Sequence, residues 1–169
     1  MRRIGIFLAV LTCTVVTLPG SISAAAISQR DATDQIETET SSIGSLSIPR
    51  LKLKSPIYLG VSYEQFEIGV GEWPGSPNPG KKGNIVLGGH RTAGPRPFAN
   101  IHKLKKGDAI YLEKNGKTFR YRVTKSLVVA KSALWITKPT STSTLTLFSC
   151  HPAGSTTHRY VIRAVYSRK

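Results

Sequence analysis

The sequence predicts an all-β domain, a closed barrel or a sandwich, on three observations. Eight short apolar segments, at residues 46–48, 56–59, 84–87, 109–113, 118–124, 127–129, 145–148 and 160–166, are punctuated by Gly and Pro. Between the fourth and fifth stands Asn115-Gly116, the pair favoured in a two-residue hairpin because a type I′ turn needs positive φ at both central positions. In the fifth, Phe119, Tyr121 and Val123 alternate with Arg120, Arg122 and Thr124, the period-2 signature of a half-buried strand. After Ile27 no ten-residue run keeps a helical period, and only 97–103 has the makings of a turn or two of helix. Of the two architectures the barrel is preferred, since closure removes exposed strand edges. No internal repeat is present.

Length and composition fit one globular domain. The chain has 169 residues, 40% hydrophobic and 20% charged, which excludes a wholly disordered chain and a multi-span membrane protein. Its charge is unusual: 24 Lys and Arg stand against 9 Asp and Glu, a formal +15. Arg2, Arg3 and Arg30 against Asp31, Asp34, Glu37 and Glu39 leave the first 45 residues one charge negative, so the whole excess lies beyond them. Such a balance bears on polyanion contact and steering rather than on fold. The absence of nucleic-acid modules and of interleaved aromatic and basic runs argues against a DNA or RNA partner.

Residues 1–26 are expected to be an export signal or an N-terminal membrane anchor. Arg2-Arg3 precede an uncharged, mostly apolar stretch to Leu18, broken by Pro19-Gly20 and followed by small residues at Ser23, Ala24, Ala25 and Ala26. Residues 27–45 are polar and too poor in large apolar side chains to pack, and read as a flexible stalk. The folded domain is then 46–169, outside the cell. The two cysteines are Cys13 and Cys150, too few for a disulfide scaffold and without zinc spacing. With Cys13 removed or held in the membrane, Cys150 has no intrachain partner, and a lone thiol in an oxidising compartment is a liability unless it is used.

Three polar residues sit where an all-β domain can bring them together. His90 follows the apolar segment 84–87 after Gly88-Gly89, Cys150 ends the segment 145–148 after Ser149, and Arg159 opens the last segment. Strand ends feeding loops are where a rigid scaffold presents reactive groups. A neighbouring cation favours the nucleophilic thiolate, and an arginine can steady a developing oxyanion. His102, His151 and His158 fit no common zinc pattern and read as surface or supporting residues. Trp73 and Trp135 lie in loop-like stretches, lining a groove or capping the barrel.

Gly89-His90-Arg91-Thr92 with Pro97-Phe98, the run Thr144-Leu145-Thr146-Leu147-Phe148-Ser149-Cys150-His151-Pro152, Arg159, and Ile48-Pro49-Arg50-Leu51-Lys52-Leu53 with Pro56-Ile57 together resemble the sortases. These are membrane-anchored cysteine transpeptidases of Gram-positive bacteria, and the details are most similar to class E of actinobacteria. The resemblance implies a closed eight-stranded barrel, with Cys150 as nucleophile, His90 as general acid/base and Arg159 as oxyanion and substrate-positioning residue. Ser149, which stands where the family usually has Thr, is expected to contact substrate together with Thr92 and Trp73. The implied partners are surface proteins bearing a C-terminal sorting signal of Leu-Pro-x-Thr-Gly or Leu-Ala-x-Thr-Gly type, and an acceptor amine on a cell-wall precursor or a pilin lysine. Membrane and anionic wall polymers are the expected neighbours of the basic surface, at the outer face of the cytoplasmic membrane or secreted and wall-associated. With only Glu64, Glu67, Glu72, Asp108 and Glu113 as carboxylates in the domain, no metal and no cofactor are expected. The rival readings are a non-catalytic exported barrel that binds polyanions, and a cysteine endopeptidase that releases its substrate to water.

Overall fold

The computed structural model describes residues 41–168; the expected export segment and most of the expected stalk lie outside them. Eight strands and one short α-helix follow in order: β1 (Gly44–Ile48), β2 (Leu53–Leu59), α1 (Tyr63–Ile68), β3 (Val70–Glu72), β4 (Gly83–Gly88), β5 (Ala109–Lys114), β6 (Lys117–Ala130), β7 (Ser143–His151) and β8 (His158–Tyr166). They close into a barrel in the order β1-β2-β3-β4-β7-β8-β6-β5, with β1 and β5 completing the ring. The all-β closed eight-stranded barrel expected from the sequence is the fold.

The strand count agrees with the sequence, but its make-up differs. β3 is only three residues long and escapes any periodicity test. The segments 118–124 and 127–129 are one strand, β6, which pairs along its length with β8. Between Val123 and Lys125 the register shifts, and such a bulge interrupts the apolar–polar alternation by one residue. Thr124 Oγ1 donates to the Arg163 carbonyl at 3.0 Å across that irregularity. β1 also takes in Gly44 and Ser45, assigned from composition to the stalk; Ser45 pairs with Pro56 and Glu113. Strand pairing therefore reaches into sequence that looks like linker.

Asn115-Gly116 makes the expected turn, with φ of 52° and 68° and Lys114 paired to Lys117. The core draws inward-facing residues from all sides of the barrel, among them Leu46, Ile48, Ile85, Leu87, Leu145, Leu147, Ile162 and Ala164, none more than 1% exposed. Each fully buried Leu or Ile contributes roughly 1.5–3 kcal/mol. The stretch 97–103, expected to be helical, supplies only a 3-10 turn at Ile101–Lys103, yet it packs Phe98 and Ile101 into the same core, where Leu104, just past the stretch, joins them.

β4 is the strand on which the site is built. All six of its residues are buried, as expected for a strand with a parallel neighbour and cover on both faces. Its one polar side chain, Asn84, donates to the carbonyls of Ile136 at 2.8 Å and Lys138 at 3.1 Å, and accepts from Thr146 at 2.6 Å. A buried amide is tolerated when its hydrogen bonds are made. Here they fasten the β6–β7 connection, with its 3-10 turn Leu134–Thr137, against the outside of β4 and β7.

Candidate active site

His90 is carried two residues beyond β4, and its place is set by the register of β4 on β7. That pairing is parallel and runs from Gly83 opposite Ser143 to Gly88 opposite Phe148. Bonding continues past the end of the ladder: Gly89 N–H donates to the Phe148 carbonyl at 3.3 Å, and Ser149 Oγ donates to the Gly89 carbonyl at 2.7 Å. One step further, Arg91 Nη1 lies 2.9 Å from His151 Nδ1. The intervening rung places His90 beside Cys150. Cys150 in turn stands directly opposite Arg159 in the antiparallel pair of β7 and β8, where facing side chains have Cβ atoms about 4.5–5.5 Å apart. The residues expected to act together thus share one cleft of about 380 Å³, lined also by Trp73, Phe66, Leu134 and Ile136.

His90 is walled by α1. Tyr63 and Phe66 present their rings edge-on, each with its centroid 5.5 Å from the imidazole. Glu67 Oε1 is 3.2 Å from Nε2, close enough for an ion pair but outside hydrogen-bond alignment. The imidazole is 17% exposed and the carboxylate 38%. Tyr63 is held above the ordinary tyrosine range, chiefly because its hydroxyl is bonded to Glu67 and next because phenolate would face that charge. Phe98 N–H donates to the His90 carbonyl at 3.1 Å, anchoring the loop to the core. Close packing on the other side excludes side chains at Gly88, where a Cβ would stand 2.5 Å from Phe148 Cζ and 2.7 Å from Phe66 Cζ.

The thiol is half-buried and unpaired, and among the described residues no hydrogen bond joins it to the imidazole. Arg159 spends Nη1 on the carbonyls of Thr156 at 2.9 Å and His158 at 3.0 Å. These contacts aim the guanidinium while leaving Nε and Nη2 for a ligand. Among the described residues no group of three His, Cys, Asp or Glu side chains is placed to hold a metal ion.

Of the expected substrate contacts, two line the cleft and one does not. Ser149 lines the cleft but is 1% exposed, with its hydroxyl given to the Gly89 carbonyl, so it also joins the strand ends. Thr92 is exposed and outside the cleft, because Arg91 turns inward and the chain departs from the site at the next residue. Trp73 does line the cleft, whereas Trp135 is 48% exposed on the outer face, with the Arg163 guanidinium 5.9 Å above its ring.

Tyr63, Phe66, Glu67 and Arg91 were not legible as site residues in the sequence. α1 does have a signature there: Ser62 and Gln65 form a capping box, with Ser62 N–H donating to Gln65 Oε1 at 3.3 Å. From that start, Tyr63, Phe66 and Glu67 fall at i, i+3 and i+4, one face of a helical turn.

Known proteins resemble this chain in sequence and fold. A family model described as "Sortase domain" matches residues 46–167. Sortase D of Bacillus subtilis (strain 168) is 31% identical over 144 residues, 79% of this chain and 71% of its own length. Sortase A of Listeria monocytogenes is 28% identical over 120 residues, 70% of this chain but 54% of that protein. The structure of sortase A from Corynebacterium diphtheriae superposes with a TM-score of 0.72 at 28% identity, covering 88% of this chain and 71% of the other. Since the match spans all eight strands and both strand ends that carry the thiol and the imidazole, the chain belongs to the sortase family, whose members are cysteine transpeptidases.

Proposed function

We propose that this protein cleaves a C-terminal sorting signal between Thr and Gly and transfers the acyl part to an amine. Cys150 Sγ, as thiolate, adds to the threonine carbonyl carbon, and the resulting oxyanion is met by the Arg159 donors not committed to Thr156 and His158. Collapse breaks the C–N bond to glycine, whose amine takes a proton from His90 as it leaves. An incoming amine then adds to the thioacyl carbon, gives a proton to His90 and expels the Cys150 thiolate, which closes the cycle. The apolar wall of Trp73, Leu134 and Ile136 suits the hydrophobic part of the signal. The resemblance to class E sortases favours Leu-Ala-x-Thr-Gly over Leu-Pro-x-Thr-Gly.

The observation that carries this reading is the double register, β4 on β7 and β7 on β8, which sets His90 and Arg159 on either side of Cys150. The acceptor is a cell-wall precursor amine or a pilin lysine. The work is done at the outer face of the membrane, where a basic domain meets anionic wall polymers. The test is to incubate the domain with peptides carrying each signal, with and without amine nucleophiles, and to follow products by mass. Cleavage after Thr with an amine adduct supports transfer, cleavage to the free acid alone indicates an endopeptidase, and an unchanged peptide with a Cys150 that alkylates no faster than a free thiol removes the enzyme reading.

A further inference from the structure

Arg91 follows His90 and His151 follows Cys150, and the two side chains meet. Arg91 Nη1 is 2.9 Å from His151 Nδ1, while Nη2 is 3.2 Å from His102 Nδ1. The guanidinium carbon lies 5.8 Å from the centre of the Tyr160 ring, and His151 packs against the same ring, centroid to centroid 5.7 Å. A guanidinium has donors and no lone pair, so both imidazoles must accept at Nδ1 and carry their protons on Nε2. The fork therefore bridges three elements: the loop after β4, the 3-10 turn Ile101–Lys103 that holds His102, and the end of β7. On the other side of the site the Ser149 hydroxyl makes the matching tie to Gly89. His90 and Cys150 sit between two crosslinks, one on the residues before them and one on the residues after.

We propose that Arg91 is a positioning residue, which through His151 sets the imidazole of His90 against the thiol of Cys150. It touches neither reacting group. Lysine is a poor substitute, because a single ammonium on a flexible stem cannot span two diverging acceptors while sitting over Tyr160. The proposal rests on the transpeptidase reading for the roles of His90 and Cys150, but not for its test.

The experiment compares wild type, Arg91→Lys, Arg91→Ala, His151→Ala and the Arg91→Ala/His151→Ala double variant. It reads thermal melting, the iodoacetamide alkylation rate of Cys150, and kcat and KM for sorting-signal cleavage. Arg91→Lys should melt close to wild type while its Cys150 alkylates at least about threefold more slowly, since the thiolate loses its held partner. Its kcat should fall about tenfold or more with KM within about twofold, as expected when groups acting in the transition state are misplaced. The double variant should lose no more than about twofold beyond the worse single one, because both act through one contact. Wild-type alkylation in folded Arg91→Lys, or losses that multiply in the double variant, would overturn the proposal. If wild type cleaves no sorting signal the transpeptidase reading fails, and the alkylation rates still decide whether Arg91 positions the thiol's neighbour.

Discussion

Ser149 and Gly89 are joined by a 2.7 Å hydrogen bond from a buried hydroxyl to a backbone carbonyl, immediately before Cys150 and His90, the two residues on which the proposed chemistry depends. The bond spans the ends of two parallel strands just where their ladder stops, so it converts strand register into the relative placement of Cys150 and His90. Ser149→Ala leaves the Gly89 carbonyl buried without its donor. A loss of about 1–3 kcal/mol in denaturant unfolding is expected, with kcat reduced in parallel. Stability within about 0.5 kcal/mol of wild type, the range of a neutral surface change, would show that the carbonyl finds another partner.

Gly88→Ala tests the packing between β4 and α1. The new methyl would enter space held by Phe148 and Phe66, and overpacking of this kind costs about 1–3 kcal/mol. Because Phe66 also borders His90, peptide cleavage should fall by more than the lost folded fraction accounts for. That comparison is made by measuring kcat at a temperature where both proteins are folded.

Asn84→Ala addresses the cleft wall. It removes the Asn84 bonds to the Ile136 and Lys138 carbonyls and leaves the Ile136 carbonyl to the Arg163 Nη2 donor at 3.1 Å, so the turn bearing Leu134 and Ile136 loses part of its fastening. A stability loss of about 2 kcal/mol or more is expected. KM for the sorting peptide should rise at least about threefold while kcat stays within about twofold, since the substrate wall moves and the reacting groups do not.

Tyr63 reports on the carboxylate beside His90. Its proton is held chiefly by the hydrogen bond to Glu67 and further by that group's charge. In Glu67→Gln the phenol should therefore titrate at lower pH, nearer the ordinary tyrosine range. For the folded state the sign follows: a raised folded value adds stability that is complete below the unfolded tyrosine range and is lost as pH climbs through the folded one. The measurement is tyrosinate absorbance against pH, taken as the difference from Tyr63→Phe in each background.

The sequence by itself determined the all-β class, the Asn115-Gly116 turn and most strand positions, because strand alternation and turn chemistry are local properties of the chain. The family resemblance also singled out Cys150, His90 and Arg159, since their motifs lie in short contiguous runs. It was blind to what depends on pairing. β3 has too few residues to show a period, the bulge at Val123 split β6 in the reading, and small residues at Gly44 and Ser45 look like linker until β2 and β5 pair with them.

Only the tertiary structure decided which residues surround the chemistry. Glu67 meets His90 because α1 folds over the end of β4, and Arg91 meets His151 because a parallel register sets residues 60 apart side by side. Nothing in a local pattern encodes such a distance. The same register makes Ser149 a crosslink between strand ends, because a hydroxyl buried there must spend its hydrogen bond on a nearby group. Composition gave only a net charge, while the pairing of β4, β7 and β8 made the site.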